Sequence, residues 1–447
     1  MKTSSITLRI AVIFAAVCAL SGRAIAQSQP TNTYALTHAK IFTLAGSAIE
    51  DGTLLIRDGK IAAVGASLDI PADTKVIDAK GLQIYPGIFD SITQMGLREI
   101  SAVSATVDSA ETGSYNPDVV AATAVLPSSE HIPVTRAAGI TEVLAVPASG
   151  GLDSFGSEGV IGGQASAIHL AGWTIDEMLI KKSAAMVLNW PEIETRTFDF
   201  ATFSRKEKPF TEAKKEYDRQ VNELTDWLER ARHYAQVVEK SSPAKYDRDL
   251  KLEALGPVVR GELPLLVFAD RSREIRNAVE FCDKQRLRMI LAGGVEAYKV
   301  KDLLRSKGVP VILRPMLTLP PDEDDPYDRL LTQPAELAAA GVKFAFASFD
   351  NSFARRLGQN AANAVAHGLP YDEALKAVTI YPAQIFDLDN QIGTLEQGKL
   401  ANLIVTNGDP LELTTDVKYL FIRGQLTSMD NRHLRLYEKY LKRPKAQ

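Results

Sequence analysis

Cysteine is almost absent from this sequence, and histidine is sparse. Of two cysteines in 447 residues, Cys18 falls in an apolar run near the N-terminus, which leaves Cys282 alone in the rest of the chain. A single thiol makes no intramolecular disulfide and no Cys-rich zinc site, so stability has to come from a packed core. The six histidines are His38, His131, His169, His233, His367 and His433. No two of them stand at i, i+2, i+3 or i+4, the spacings that put paired metal ligands on one face of a strand or helix. A phosphate loop ending in G-K-[ST] and a G-x-S-x-G nucleophile elbow are both missing. Cys282 lies beside Phe281 in a helix-like run, which points to a core position rather than a nucleophile.

Long apolar runs are also lacking. The stretch Ile10 to Leu20 is too short to span a bilayer. Preceded by Lys2 and Arg9, and followed by Ala24-Ile25-Ala26 before Gln27, it reads as a secretory signal peptide over residues 1–26. The expected location is therefore periplasmic or secreted, with no membrane span. Val17 stands where a lipoprotein signal has Gly or Ala, so cleavage after Ala26 explains this stretch better than a lipid anchor on Cys18. Setting aside Lys2, Arg9 and Arg23 from the 51 basic residues leaves 48 against 55 acidic ones, a mature charge of −7 with histidine neutral. That balance disfavours nucleic acid as a partner.

What is present alternates in character along the chain. Tyr34 to Leu44, Gly52 to Arg57, Lys60 to Gly65 and Thr74 to Asp78 read as short strands, and Asp58-Gly59 is a hairpin turn. So few strands cannot cover their own apolar face. Ile392 to Val405 and Val417 to Leu426 read as further strands that could supply the cover. Between these ends, strand-like runs (Thr141 to Val146, Leu265 to Ala269, Met289 to Leu291, Val309 to Leu313, Lys343 to Ala347) alternate with helix-like ones such as Ser272 to Lys284 and Glu296 to Lys307. This pattern implies an α/β sheet with parallel strands. Arg205 to Asp249 is dense in charge, yet Val221, Leu224, Leu228, Ala231 and Val238 recur at helical spacing, as on a solvated helix covering a core or, alternatively, on a lid or partner face.

Around Ile84-Tyr-Pro-Gly-Ile-Phe-Asp-Ser-Ile-Thr-Gln-Met-Gly-Leu97, a turn leads into a short buried strand. Pro86-Gly-Ile-Phe-Asp90 resembles the P-G-x-x-D that precedes H-x-H on the first barrel strand of the amidohydrolase superfamily, relatives of imidazolonepropionase and cyclic-amide hydrolases. Asp372 to Ala383, running on to Ile392-Gly-Thr-Leu-Glu-Gln-Gly-Lys399, is similar to the family's closing helix, T-x-N-P-A and G-S-L-E-x-G-K-D-A-D, with departures at Tyr381, Leu400 and Asn402. The resemblance spans nearly the whole mature chain. It implies a TIM-like (β/α)8 barrel over residues 86–385, with a composite β-sandwich built from 27–85 and 386–447.

It also implies a metal centre whose ligands are not here. The two first-strand histidine positions hold Ile92 and Gln94, and the fifth- and sixth-strand positions hold Phe268 and Gly293. Only the eighth-strand aspartate has a match, Asp350 in Ala347-Ser-Phe-Asp350, and it is the candidate catalytic base. Gln94, Gln164 and Asp270 are candidates for lining a pocket, with Ser166 beside Gln164. For Gln164 and Ser166 the competing reading is that the glycines of Ser149 to Gln164 serve only turn geometry. Lys181 and Lys182 lie near the segment that carries a carbamylated lysine in some members, and neither is assigned that role. His131 is expected in a loop and His367 at a helix end, while His169 could line a site. By resemblance the chain is a hydrolase of non-peptide C–N bonds, expected to lack metal-dependent activity and to need no zinc or other divalent cofactor. The alternative is a non-catalytic subunit or ligand-binding barrel, as a homo-oligomer or beside an active amidohydrolase, with a small molecule as possible ligand.

Overall fold

The computed structural model describes residues 33–147, 159–199, 203–240 and 247–443. Residues 1–26, expected from the sequence to be a signal peptide, and most of the Gly-rich stretch lie outside the described residues.

The strands at the two ends of the chain are joined into one sheet. Its hydrogen-bonded order is Gln425–Leu426, Val417–Ile422, Leu403–Thr406, Gln83–Pro86, Tyr34–Ile41, Ile49–Arg57 and Lys60–Gly65, with Lys75–Asp78 parallel to Tyr34–Ile41. The junction is the antiparallel pairing of Leu403–Thr406 with Gln83–Pro86. The segment leading into Leu403–Thr406 closes onto the first hairpin, since Ile61 N donates to Lys399 O at 2.9 Å and Ala401 N to Gly59 O at 2.9 Å. Leu36, Ile41, Leu54, Ile56, Leu403 and Phe421 fill the space enclosed and are fully buried. The Asp58-Gly59 hairpin forms as expected, both residues taking positive φ (52° and 79°), the geometry that matches the twist of paired strands.

Ile84 to Gly87 is not a free turn, because Gln83–Pro86 is itself a sheet strand that hands over directly to the barrel at Gly87. A Cβ at Gly87 would lie 1.7 Å from Thr141 Oγ1, so only glycine lets the first two barrel strands approach there.

Eight strands make the barrel: Ile88–Thr93, Ile140–Ala145, Ile161–His169, Leu179–Asn189, Leu265–Ala269, Met289–Gly293, Val311–Leu313 and Phe344–Phe346, here called strands one to eight. Strands one and eight meet through Phe349 N to Ile92 O at 2.9 Å and Ser348 N to Asp90 Oδ1 at 2.9 Å. One feature departs from the parallel expectation: strand three runs antiparallel to both strand two and strand four. Strands two to four thus form a meander. The remaining pairs, one with two and four through eight, are parallel.

The parallel strands read as near-continuous apolar runs because both faces are buried. Leu266, Phe268, Ile290, Ile312 and Ala345 point inward with Phe89 and Ile92. Leu265, Val267, Leu291, Val311 and Phe344 point outward to the helices. The charged segment forms the helix Phe210–Lys240, whose buried stripe Tyr217, Leu224, Leu228 and Ala231 joins that outer layer.

Candidate functional site

In a (β/α)8 barrel, chemistry is built at the C-terminal ends of the strands. Here Ile92 at the end of strand one is fully buried, and Phe268 near the end of strand five is 5% exposed. Both belong to one apolar cluster inside the barrel, which Phe349 joins from the loop after strand eight. Phe268 and Phe349 meet edge to face with ring centroids 6.1 Å apart, the arrangement their quadrupoles favour. Phe349 takes φ 53°, a left-handed conformation that costs a non-glycine residue about 1–2 kcal/mol.

The Arg314 guanidinium, directly after strand seven, lies 4.9 Å from the Phe349 ring centroid. It also pairs with Asp270 through Nε to Oδ1 at 3.2 Å and Nη2 to Oδ2 at 3.1 Å. Gly293, at the sixth-strand position, has φ 95° and sits beneath this ion pair. A Cβ there would come within 2.4 Å of Asp270 Oδ1 and 3.2 Å of Arg314 Nε. The side chains of isoleucine and phenylalanine offer no lone pair to a metal, and glycine has no side chain to offer one. Among the described residues, no three His, Cys, Asp or Glu side chains converge to hold one. The side chains at this end do not fit the divalent ion of the family.

The remaining candidates are engaged in structure. Gln94 is 4% exposed and accepts from Arg98 Nη1 at 3.3 Å. Asp350 Oδ1 accepts from the amides of Ser352 at 2.5 Å and Phe353 at 2.9 Å, capping the turn that follows. Among the described residues no hydrogen bond joins Gln94 to Asp350. Gln164 donates to Pro117 O at 2.8 Å and accepts from Ser183 Oγ, tying a loop to strand four. Ser166 Oγ donates to Lys182 O at 2.7 Å and accepts from Ala122 N. Lys181, near the start of strand four, donates to Phe386 O at 2.9 Å. It therefore lies at the opposite end of the strand from Asn189. His131 opens the helix His131–Arg136 rather than lying in a loop, and His367 follows the helix Leu357–Ala366.

Two buried carboxyls were not singled out from the sequence. Asp90, fully buried on strand one, accepts from Ser348 Oγ at 2.5 Å as well as from Ser348 N. Burial pushes its pKa up to about 7 despite those hydrogen bonds. Glu142, at the N-terminal end of strand two, is likewise pushed up to about 7 by burial, while accepting from Thr141 Oγ1 and Asn402 Nδ2. His169 lies beside it, its Nδ1 3.9 Å from Glu142 Oε1, and burial lowers its pKa to about 3. His169 is thus a neutral histidine between barrel and sheet, and does not reach the mouth. This cluster also accounts for Asn402 in place of the family's aspartate, because an amide can donate to Glu142 where a second carboxylate would repel it. The signal available in sequence was Asp90, a lone charge within an apolar strand.

Comparison with known proteins agrees with this architecture. A model of the amidohydrolase family matches residues 275–427. The amidohydrolase tasK of Hapsidospora irregularis is 24% identical over 399 residues, which is 83% of this chain but only 39% of that protein. A deacetylase of Agrobacterium fabrum is 49% identical over 57 residues, 12% of this chain and 14% of its own length. The crystal structure of an amidohydrolase from Thermotoga maritima superposes with a TM-score of 0.75 at 24% identity, covering 88% of this chain and 99% of that one.

Proposed function

We propose that this chain, whose residues 275–427 match the amidohydrolase family and whose fold is that of an amidohydrolase, is a catalytically silent member of that family, exported by its N-terminal signal, which acts as a subunit beside an active amidohydrolase. The observation that carries this reading is the apolar plug of Ile92, Phe268 and Phe349 at the strand ends, with Gly293 closed off under the Asp270–Arg314 pair. In metal-dependent hydrolysis the bound ion generates the nucleophile at neutral pH. A carboxylate base alone contributes ~10²–10⁴-fold, short of the ~10⁶-fold or more of typical enzymes. Asp350, the one matching catalytic position, spends one carboxylate oxygen on two backbone amides. Relatives named amidohydrolase and deacetylase support non-peptide C–N bonds as the chemistry from which this barrel descends.

The subunit role is favoured by the surface at the same end of the barrel. Leu317 and Leu319 after strand seven are 70% and 90% exposed, and Tyr327 in the same connection is 84% exposed. Phe353 after strand eight and Ile100 after strand one are exposed too. Apolar side chains gathered on loops at one end are what a partner chain would cover. The test is metal analysis and native co-purification of the mature protein. Less than one divalent ion per ten chains and recovery of an intact amidohydrolase are expected. A stoichiometric divalent ion, or a protein that emerges alone from its own compartment, would overturn the proposal.

A further inference from the structure

We propose that the N-terminal end of the barrel, opposite the plugged mouth, carries a binding site for a small organic acid with an apolar body. A cavity of about 570 Å³ opens there between the starts of strands five to eight, reached by Pro264, Met289, Pro310 and Lys343. Its size falls within the roughly 300–1,000 Å³ of small-molecule sites. The floor is apolar, formed in part by the buried side chains of Val279, Cys282, Leu304, Val309 and Ile385.

The rim is cationic. Arg288, Arg305, Lys307 and Lys343 line it, against the single carboxylate of Asp283. Lys307 pairs with Asp283 at 2.7 Å. Arg288 pairs with Asp387 at 3.0 Å, and Asp387 is shared with Lys181 at 3.9 Å. Burial lowers the Lys181 pKa, against the opposing charge of Asp387 and with a smaller push from Arg288. Arg305 and Lys343 have no carboxylate partner among the described residues, Lys343 donating only to the neutral Gln384 Oε1 at 2.8 Å. Helix C-termini gather at this end and favour cations, which accounts for the charges but not for the apolar void between them. A carboxylate on an aliphatic or aromatic body satisfies both at once. The head would take the Arg305 fork and the Lys343 ammonium, and the tail the floor.

The experiment is calorimetric titration of the purified full chain with octanoate, with 1-octanol and inorganic phosphate as separate arms. Octanoate should bind saturably at one site per chain and weaken with added salt. The double variant Arg305→Gln/Lys343→Gln should bind at least tenfold more weakly, with an unchanged unfolding temperature because both residues are exposed. The two single variants carry the same test should the double variant melt early. 1-Octanol should bind at least tenfold more weakly than octanoate. Absence of octanoate binding at millimolar concentration, or equal binding by folded variants, would refute the site. Phosphate binding as tightly as octanoate would refute the apolar body.

Discussion

Histidine restored at positions 92, 94, 268 and 293 should not rebuild a metal centre, even though the family resemblance implies that these four supply the missing ligands. Ile92 is fully buried, and burying such a side chain contributes about 1.5–3 kcal/mol. An imidazole in the same apolar cluster loses that and leaves a ring nitrogen unpaired, at about 1–3 kcal/mol more. The double variant Ile92→His/Gln94→His should therefore lose about 3–5 kcal/mol, a large share of the roughly 5–15 kcal/mol that holds a protein folded. Phe268 would still fill the space between the new side chains. The quadruple variant removes that obstruction but meets a backbone one, since Gly293 has φ 95° and a Cβ there falls 2.4 Å from Asp270 Oδ1. The sixth-strand histidine would carry strain of about 1–2 kcal/mol and displace the Asp270–Arg314 pair. The assay is zinc titration by calorimetry, with circular dichroism to score folding and urea denaturation to score stability. Neither variant should bind zinc at micromolar concentration. Micromolar binding by the wild type or by the double variant would show that the plug does not occupy the site of the family's metal, and micromolar binding by the folded quadruple variant would refute the obstruction argued at Gly293.

Three further expectations can be checked on the same protein. Phe268→Ala should destabilise by about 3–5 kcal/mol in urea denaturation, from lost burial and the lost contact with Phe349, and a loss under 1 kcal/mol would mean the cluster is loosely packed. Asp90 and Glu142 have folded-state pKa values raised to about 7, so the folded chain holds protons there that the unfolded chain releases above about pH 4. Their contribution is full below that pH and is lost as pH rises through 7. His169, lowered to about 3, opposes them, its contribution being lost as pH falls below about 6.5. Relative to wild type, Asp90→Asn/Glu142→Gln should gain stability steadily from pH 5 to 7.5, and parallel stability curves would contradict the assignment. Asp350→Ala should cost about 0.5–2 kcal/mol through its lost cap, while Asp350→Asn should stay within about 0.5 kcal/mol; a substrate whose turnover Asp350→Asn abolishes would restore it as a catalytic base.

Much of the architecture was legible in the sequence, because patterning and turn chemistry act locally. Asp58-Gly59 specifies its hairpin through positive φ at both residues. The apolar run Leu265 to Ala269 announces a strand buried on both faces, and the spacing of Leu224, Leu228 and Ala231 announces one face of a helix. That an isoleucine side chain, such as Ile92, cannot ligate a metal is equally a matter of residue type. The sequence could not give the direction of strand three. An antiparallel strand flanked by barrel strands is buried on both sides like its neighbours, so its composition carries no sign of its orientation. Nor could it show that Gln94, Gln164, Ser166 and Asp350 are engaged by local backbone and side chains, as those bonds depend on where loops land. What sequence alone determined was the kind of barrel and the residue types that stand at the positions the resemblance assigns to metal ligands. Tertiary structure alone decided what gathers at the C-terminal ends of the strands. Phe349 and Arg314 come from different loops to meet Phe268 and Asp270, and contacts between residues so far apart in the chain are fixed by packing rather than by any local pattern.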